Sequence, residues 1–155
     1  NTVILMTSNA ATDTIMKLCA DPDTMPGPEA LAAALHPELL NSFKPAFLGR
    51  IVVVPYFPLS DDIMRKIALL KLGKVARRVK DHYDAEFRWS DEVLDHIVSR
   101  CTEVDSGARN VDRILTGSLL PQMSAEFLSR LAEDAEISAA HVDLNDDGTF
   151  RFNLG

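Results

Sequence analysis

The sequence predicts an α/β chain in two parts: the back end of a larger α/β domain over residues 1–57, and a small α+β domain over residues 58–155. Three observations carry that expectation. Val3-Ile4-Leu5-Met6 and Ile51-Val52-Val53-Val54 are wholly apolar runs without alternation, the pattern of strands buried on both faces of a parallel sheet. Pro55 and Pro58 then break the chain, and the boundary is placed near Phe57. Beyond it lie a long amphipathic helical pattern, further helices, and alternating strands around an Asp-Asp-Gly turn. A buried strand needs neighbours for its backbone groups and crossovers to bring parallel partners alongside. The other strands of that sheet are therefore expected before Asn1. The polar tip Thr7-Ser8-Asn9 is where ligands of such sheets collect.

The elements follow in order. Thr12 or Asp13 caps a short helix through Cys19. Asp21 to Pro28 holds three prolines and a glycine, so it reads as a loop or surface insertion. Pro28 and Pro37 each suit the first turn of a helix, Glu29–Leu35 and Glu38–Phe43. Pro45 stops the second and leads into Phe47-Leu48-Gly49-Arg50. Ser60 caps a long helix with Ile63, Ile67 and Leu70 on one side and Ala68, Leu72, Val75 and Val79 beside them. Lys71, Lys74, Arg77 and Arg78 lie on its outer side, towards the end where the helix dipole favours cations. Glu86–Trp89 alternates as a half-buried strand. Ser90 then caps a helix with Val93, Leu94, Ile97 and Val98 inward. After a loop over Thr102–Ser106, a helical pattern runs from Val111 through Ile114, Leu115, Leu119, Met123, Phe127 and Leu131, kinked or restarted at Pro121. A hairpin closes the chain: Ala140–Leu144, a turn at Asp146-Asp147-Gly148, then Thr149–Leu154.

The net charge of −7 and the absence of a dense Lys/Arg stripe disfavour nucleic acid as a ligand. No apolar run approaches the ~18 residues of a membrane span. Cys19 and Cys101 are far apart and without metal spacing, and each reads as a small buried residue in a reducing compartment.

Three residues stand out chemically. Asn9, at the tip of the first apolar run, is either a turn asparagine or an amide that holds a water in line with a phosphate. Arg50, flanked by Phe47, Leu48 and Ile51, is either a snorkelling surface arginine or a guanidinium presented to another subunit's phosphate. Arg109 falls in the first turn of a helix, where its charge opposes the dipole. It is either paired with Asp105 or Asp112, or met there by an anion. Asp143, Asn145, Asp147 and Gly148 imitate the start of a calcium loop, but Leu154 stands where the bidentate Glu belongs and the flanks read as strands, so calcium is rejected. His36, His82, His96 and His141 have no ligand partners at useful spacing, and no Ser-His-Asp or Cys-His arrangement is present.

Taken together, Asn1-Thr-Val-Ile-Leu-Met-Thr-Ser-Asn9, Phe43-Lys-Pro-Ala-Phe-Leu-Gly-Arg50-Ile and Ser106-Gly-Ala-Arg109-Asn resemble the sensor-1 strand, the arginine-finger stretch and the sensor-2 segment of AAA+ ATPases of the Clp/disaggregase branch. The resemblance covers essentially the whole chain. It implies the end of a P-loop AAA+ large domain followed by a small lid domain with a three-stranded sheet. It also implies catalytic roles for Asn9 and Arg50 and nucleotide contact for Arg109. Within the branch, the insertion Asp21–Pro28, Phe-Leu-Gly-Arg50 and the stretch Arg100 to Asp112 are most similar to the ClpV group, the ATPases of type VI secretion. Asn110 stands where general disaggregases more often have proline.

By that resemblance the whole protein is a cytoplasmic homo-hexamer. It uses ATP and Mg2+ to pull apart the contracted secretion sheath, and neither nucleic acid nor membrane is a partner. The phosphate-cradling Gly-x-x-x-x-Gly-Lys-Ser/Thr loop and the magnesium-holding acid (Walker A and Walker B) are not found in these residues and are expected upstream. The chain by itself is expected to be inactive and to bind no nucleotide tightly. A non-catalytic oligomerisation module, a general ClpB-type disaggregase and a DNA-remodelling relative are the competing readings. The acidic balance weighs against the last.

Overall fold

The computed structural model describes residues 2–102 and 108–155. Most of the expected loop Thr102–Ser106, together with Gly107 and Asn1, lies outside them. The chain divides into two compact units, Asn1–Pro58 and Leu59–Gly155.

The first unit is helical: α1 (Thr12–Leu18), α2 (Pro28–Ser42) and the short α3 (Pro45–Leu48). Its core is Leu31, Leu35 and Leu39 of α2 with Ala11 and Leu48, joined by Ile15, Phe43, Ile51, Val53 and Phe57. Neither expected strand forms. Val3 and Leu5 are 88% and 92% exposed, and the segment before Ala10 has no regular structure. A strand exists only beside a partner, and among the described residues none pairs with either run. Ile51–Val54 instead lays one side on the core, with Ile51 and Val53 partly buried and Val52 and Val54 in solvent.

The two helices expected around Pro37 are one. Proline in a helix interior costs roughly 3 kcal/mol, yet α2 runs through it. Leu31, Leu35 and Leu39 recur every four residues on both sides of Pro37, all buried. Burying each leucine stabilises by about 1.5–3 kcal/mol, so keeping the stripe continuous outweighs the lost hydrogen bond. The residue before α1 is Ala11 in the left-handed region (φ 61°), with no side-chain cap. Thr12 Oγ1 donates to the Asn9 carbonyl instead (2.7 Å).

The second unit opens with α4 (Asp61–Tyr83), capped by Ser60, whose Oγ accepts from the Ile63 amide (3.4 Å). Its inward face is Met64, Ala68, Leu72, Val75 and Val79, so Ile63 and Leu70 turn out to solvent, contrary to the sequence expectation. β1 (Glu86–Trp89) and α5 (Asp91–Thr102) follow, with Val93, Leu94, Ile97 and Cys101 buried. Ser90 does not cap α5 with its hydroxyl, which is buried without a hydrogen bond among the described residues. Its amide donates to Val142 (3.0 Å) and ties the end of β1 to the sheet.

α6 (Ala108–Ile114) passes through a π-helical turn, Leu115–Leu119, into α7 (Leu120–Ala132). The buried positions Val111, Leu115, Leu119, Met123 and Phe127 recur every four residues. On a straight α-helix such a row drifts by about 40° per step. The wider turn, in which the Leu120 amide donates to the Leu115 carbonyl, takes back part of that drift. Pro121 therefore enters at the start of α7 without a break. Leu131 lies past the stripe and is 46% exposed rather than inward.

β2 (Ala139–Leu144) and β3 (Phe150–Leu154) complete a sheet of order β1-β2-β3. β1 runs parallel to β2, with Phe87 opposite Ala140; β2 runs antiparallel to β3, with Val142 opposite Phe152. Phe87, Ala140, Val142 and Phe150 join the helical core. β3 starts one residue later than expected, because Thr149 belongs to the turn. Its carbonyl accepts from the Asn145 amide (2.9 Å), and Gly148 takes the positive φ of 78° that the turn requires. Among the described residues no helix is long and apolar enough to cross a membrane.

Candidate functional site

Asn9 and Arg50 belong to the first unit and Arg109 to the second. Each is held by its backbone and presents its side chain to solvent. At Asn9 the extended segment turns into α1. Ser8 Oγ accepts from the Ala10 amide (3.1 Å), and the Asn9 carbonyl takes the Thr12 hydroxyl, so the side-chain amide is left exposed.

Arg50 leaves a compact turn. Phe47 and Leu48 amides donate to the Lys44 carbonyl (2.9 and 3.1 Å), Gly49 to Pro45 (3.0 Å) and Arg50 to Phe47 (3.0 Å). Leu48 is buried, and the rings of Phe43 and Phe47 stack at 5.8 Å. The guanidinium is exposed and makes no hydrogen bond or ion pair among the described residues. A rigid backbone under a free, five-donor cation fits an anion supplied from outside the unit.

Arg109 is the second residue of α6 and is exposed. Of its two expected carboxylate partners, Asp105 lies outside the described residues. Asp112 is engaged elsewhere: Lys71 Nζ on α4 stands 2.7 Å from its Oδ1. The residue missed in the sequence is Asn110. It is the one buried polar side chain among the described residues, and its Nδ2 donates to the Arg100 carbonyl near the end of α5 (2.8 Å). That bond satisfies one of the orphan carbonyls of a helix end and anchors the first turn of α6 beside Arg109. The signal was present, since Asn110 falls on the inward row of α6 with Val111 and Ile114.

The hairpin tip uses its polar residues internally. Asp147 Oδ1 accepts from the Thr149 amide (2.9 Å) and hydroxyl (2.6 Å), and Asn145 Nδ2 donates to Thr149 Oγ1 (2.9 Å). The Thr149 hydroxyl and then its amide hold the Asp147 carboxyl below its ordinary value of 3.8. The sign follows: a carboxyl depressed on folding stabilises above its unfolded pKa, and that contribution fades as the pH falls through the folded value. Thr149→Val is expected to move the Asp147 midpoint up towards 3.8, read from its side-chain carbon resonance in an NMR titration. An unchanged midpoint would remove the hydroxyl as the cause.

Two of the four histidines pack locally: His141 Nε2 sits 3.2 Å from Asp143 Oδ1, and the His96 ring stands edge-on to Phe150 at 6.1 Å. Burial pushes the Cys101 thiol up, which makes it a poor nucleophile. Among the described residues no group of three or more His, Cys, Asp or Glu side chains could hold a metal ion.

The protein family described as the C-terminal, D2-small domain of ClpB protein matches residues 59–140. The AAA+ ATPase ClpV1 of Pseudomonas aeruginosa is 48% identical over 147 residues, covering 95% of this chain. The chaperone protein ClpB of Yersinia enterocolitica is 38% identical over 128 residues, covering 83%. The chain spans only 16% and 14% of the length of those relatives. A closed-state structure of Hsp104 with ATPγS and FITC casein shares the fold, with a TM-score of 0.65 at 18% identity over 95% of this chain and 25% of that one. The chain thus belongs to the ClpB/ClpV branch of AAA+ proteins, and its second unit carries that branch's D2-small domain.

Proposed function

We propose that the chain is the C-terminal part of the second nucleotide-binding domain of a cytoplasmic, hexameric AAA+ unfoldase. The whole protein hydrolyses ATP to remodel protein assemblies, and its substrate is the contracted type VI secretion sheath. The observation that carries this reading is the 48% identity with a ClpV1 across 95% of the chain, which exceeds the 38% with the Yersinia ClpB. In this reading residues 1–57 end the large AAA+ subdomain and residues 58–155 are its lid.

The donor set suits a polyphosphate. Two exposed guanidinia and an exposed amide offer hydrogen-bond donors and positive charge, and no carboxylate among the described residues neutralises Arg50. Magnesium is usually held by one or two carboxylates together with the phosphates, and the acid expected to hold it lies upstream of Asn1 in this reading. ATP supplies the phosphoanhydride bond whose cleavage drives remodelling. Asn9 orients the attacking water at its own subunit's site, since an amide can accept from the water and donate at once. Arg109 contacts the phosphates of the same subunit and carries their state into the lid through α6. Arg50 reaches the neighbouring subunit's phosphates and stabilises charge that develops during transfer.

The test uses the complete protein. Asn9→Ala should lower ATP turnover by about 10²-fold or more with nucleotide affinity nearly unchanged, because water positioning matters in the transition state and little in the bound ground state. Turnover within a few-fold of the parent would sink this assignment for Asn9.

A further inference from the structure

Arg109 stands on the first turn of α6, made of Ala108, Arg109 and Asn110. The amides that open a helix have no acceptor within it, so such a turn frays unless something outside the helix holds it. Val111 and Ile114 are buried in the core and set where α6 runs. They do not by themselves close the turn that carries Arg109.

Two polar contacts reach α6 from its neighbours. Lys71 of α4 meets Asp112, but the two side chains are 33% and 55% exposed, so the pair is screened by solvent and holds loosely. Asn110 is held differently. It is 6% exposed, and its Nδ2 donates to the Arg100 carbonyl at 2.8 Å. Arg100 lies in the last turn of α5, next to the buried Cys101. Losing this bond would leave a buried donor and a helix-end carbonyl both short of a partner. A buried amide stabilises nothing unless it is paired, and an apolar side chain at this inward position would serve the core as well. The asparagine therefore supplies direction rather than burial. Where general disaggregases more often have proline, which has no side-chain donor, this chain ties the turn to a second helix.

We propose that Asn110 is a positioning residue for nucleotide contact. It clamps the first turn of α6 to the end of α5 and so fixes the direction from which the Arg109 guanidinium meets the phosphates. The same bond passes the pull of the phosphates on Arg109 into α5, whose Val93, Leu94 and Ile97 lie in the core. This inference rests on the reading of Arg109 given above.

The experiment is a double-mutant cycle on the complete protein, with the phosphate loop of the first nucleotide-binding domain disabled in every variant. Affinity for a fluorescent ATP analogue is measured together with kcat and KM for ATP. Asn110→Ala is expected to weaken affinity and raise KM by about fivefold or more, and to do almost nothing once Arg109 is already alanine. Asn110→Leu keeps the side chain's bulk and removes only its polar atoms, so it should lose as much as alanine does. Affinity within about twofold of the parent in both variants would overturn the proposal, as would an equal loss with and without Arg109. Leucine restoring what alanine loses would make Asn110 a space filler, and two variants that both fail to fold by circular dichroism would make its role structural. Either result also overturns the proposal. If Arg109→Ala itself leaves affinity unchanged, the reading of Arg109 has failed and the inference falls with it. The single Arg109 variant tells that failure apart from a failure at Asn110.

Discussion

Arg50→Ala in the complete protein is expected to abolish ATP hydrolysis while each isolated subunit keeps nearly its full nucleotide affinity. The reason is geometric: in the proposed arrangement its phosphate belongs to the neighbour. Arginines supplied in this way are worth roughly 10³–10⁵-fold in rate in related phosphoryl transfers. The turn of Lys44–Arg50 holds the backbone through four hydrogen bonds and leaves the guanidinium free, so alanine should remove the charge and little else. Arg109→Ala should act on the subunit's own site and loosen the link between nucleotide and lid. Mixing separates the two roles. Arg50→Ala subunits are combined with subunits disabled in their own phosphate loop. Some interfaces then join an intact site to an intact finger, and partial turnover should return. Rescue of Arg109→Ala by mixing, with none for Arg50→Ala, would reverse the assignments.

The largest stability effect is expected at Phe127. It is 1% exposed, and Tyr83 stands edge-on to it at 4.9 Å. Phe127→Ala removes a ring from the middle of the second unit's core and should cost about 3–5 kcal/mol. Part of that is the edge-to-face contact, worth roughly 0.5–1.5 kcal/mol beyond its area. Domains have only about 5–15 kcal/mol in total, so the second unit of this variant should melt at a fraction of the parent's urea concentration. Trp89 sits against the same core and reports the transition by fluorescence. The neighbouring Leu128 is 67% exposed, and Leu128→Ala should stay within about 0.5 kcal/mol. Equal losses at the two positions would mean the core is placed wrongly.

The second unit was readable from the sequence because its elements carry their own periodicity. Val93, Leu94 and Ile97 mark a helix, Phe87 a strand, and Asp146-Asp147-Gly148 a turn, and each is found where local pattern put it. What pattern misjudged was the phase of long rows. In α4 both Ile63–Ile67–Leu70 and Met64–Ala68–Leu72 satisfy helical spacing, and the choice between them depends on what lies opposite. In the first unit the apolar runs did signal strand chemistry, but strand formation is a property of pairs. Val3–Met6 has no partner strand among the described residues, so propensity alone did not decide its state. Arg50 was legible as an arginine without an evident local carboxylate, and Arg109 as a charge set against its helix dipole with Asp105 and Asp112 as rival partners. Asn110 stood on a legible inward row, but its partner was not legible, because the Arg100 carbonyl is ten residues away in sequence and close only once α5 and α6 pack.

The parallel pairing of β1 with β2 also dictates an order of assembly. β2 and β3 are joined by five residues, Asn145 to Thr149, and can close within microseconds. β1 is separated from β2 by about 50 residues that hold α5, α6 and α7. Closing the longer loop costs about 2 kcal/mol more entropy than closing the turn. During synthesis Glu86–Trp89 therefore leaves the ribosome long before its partner exists, and it must wait as an unpaired edge. Its brevity and its charged side chains, Glu86 and Arg88, suit a strand that must wait unpaired. β1 is then expected to be the last strand to dock, after the β2–β3 hairpin has closed.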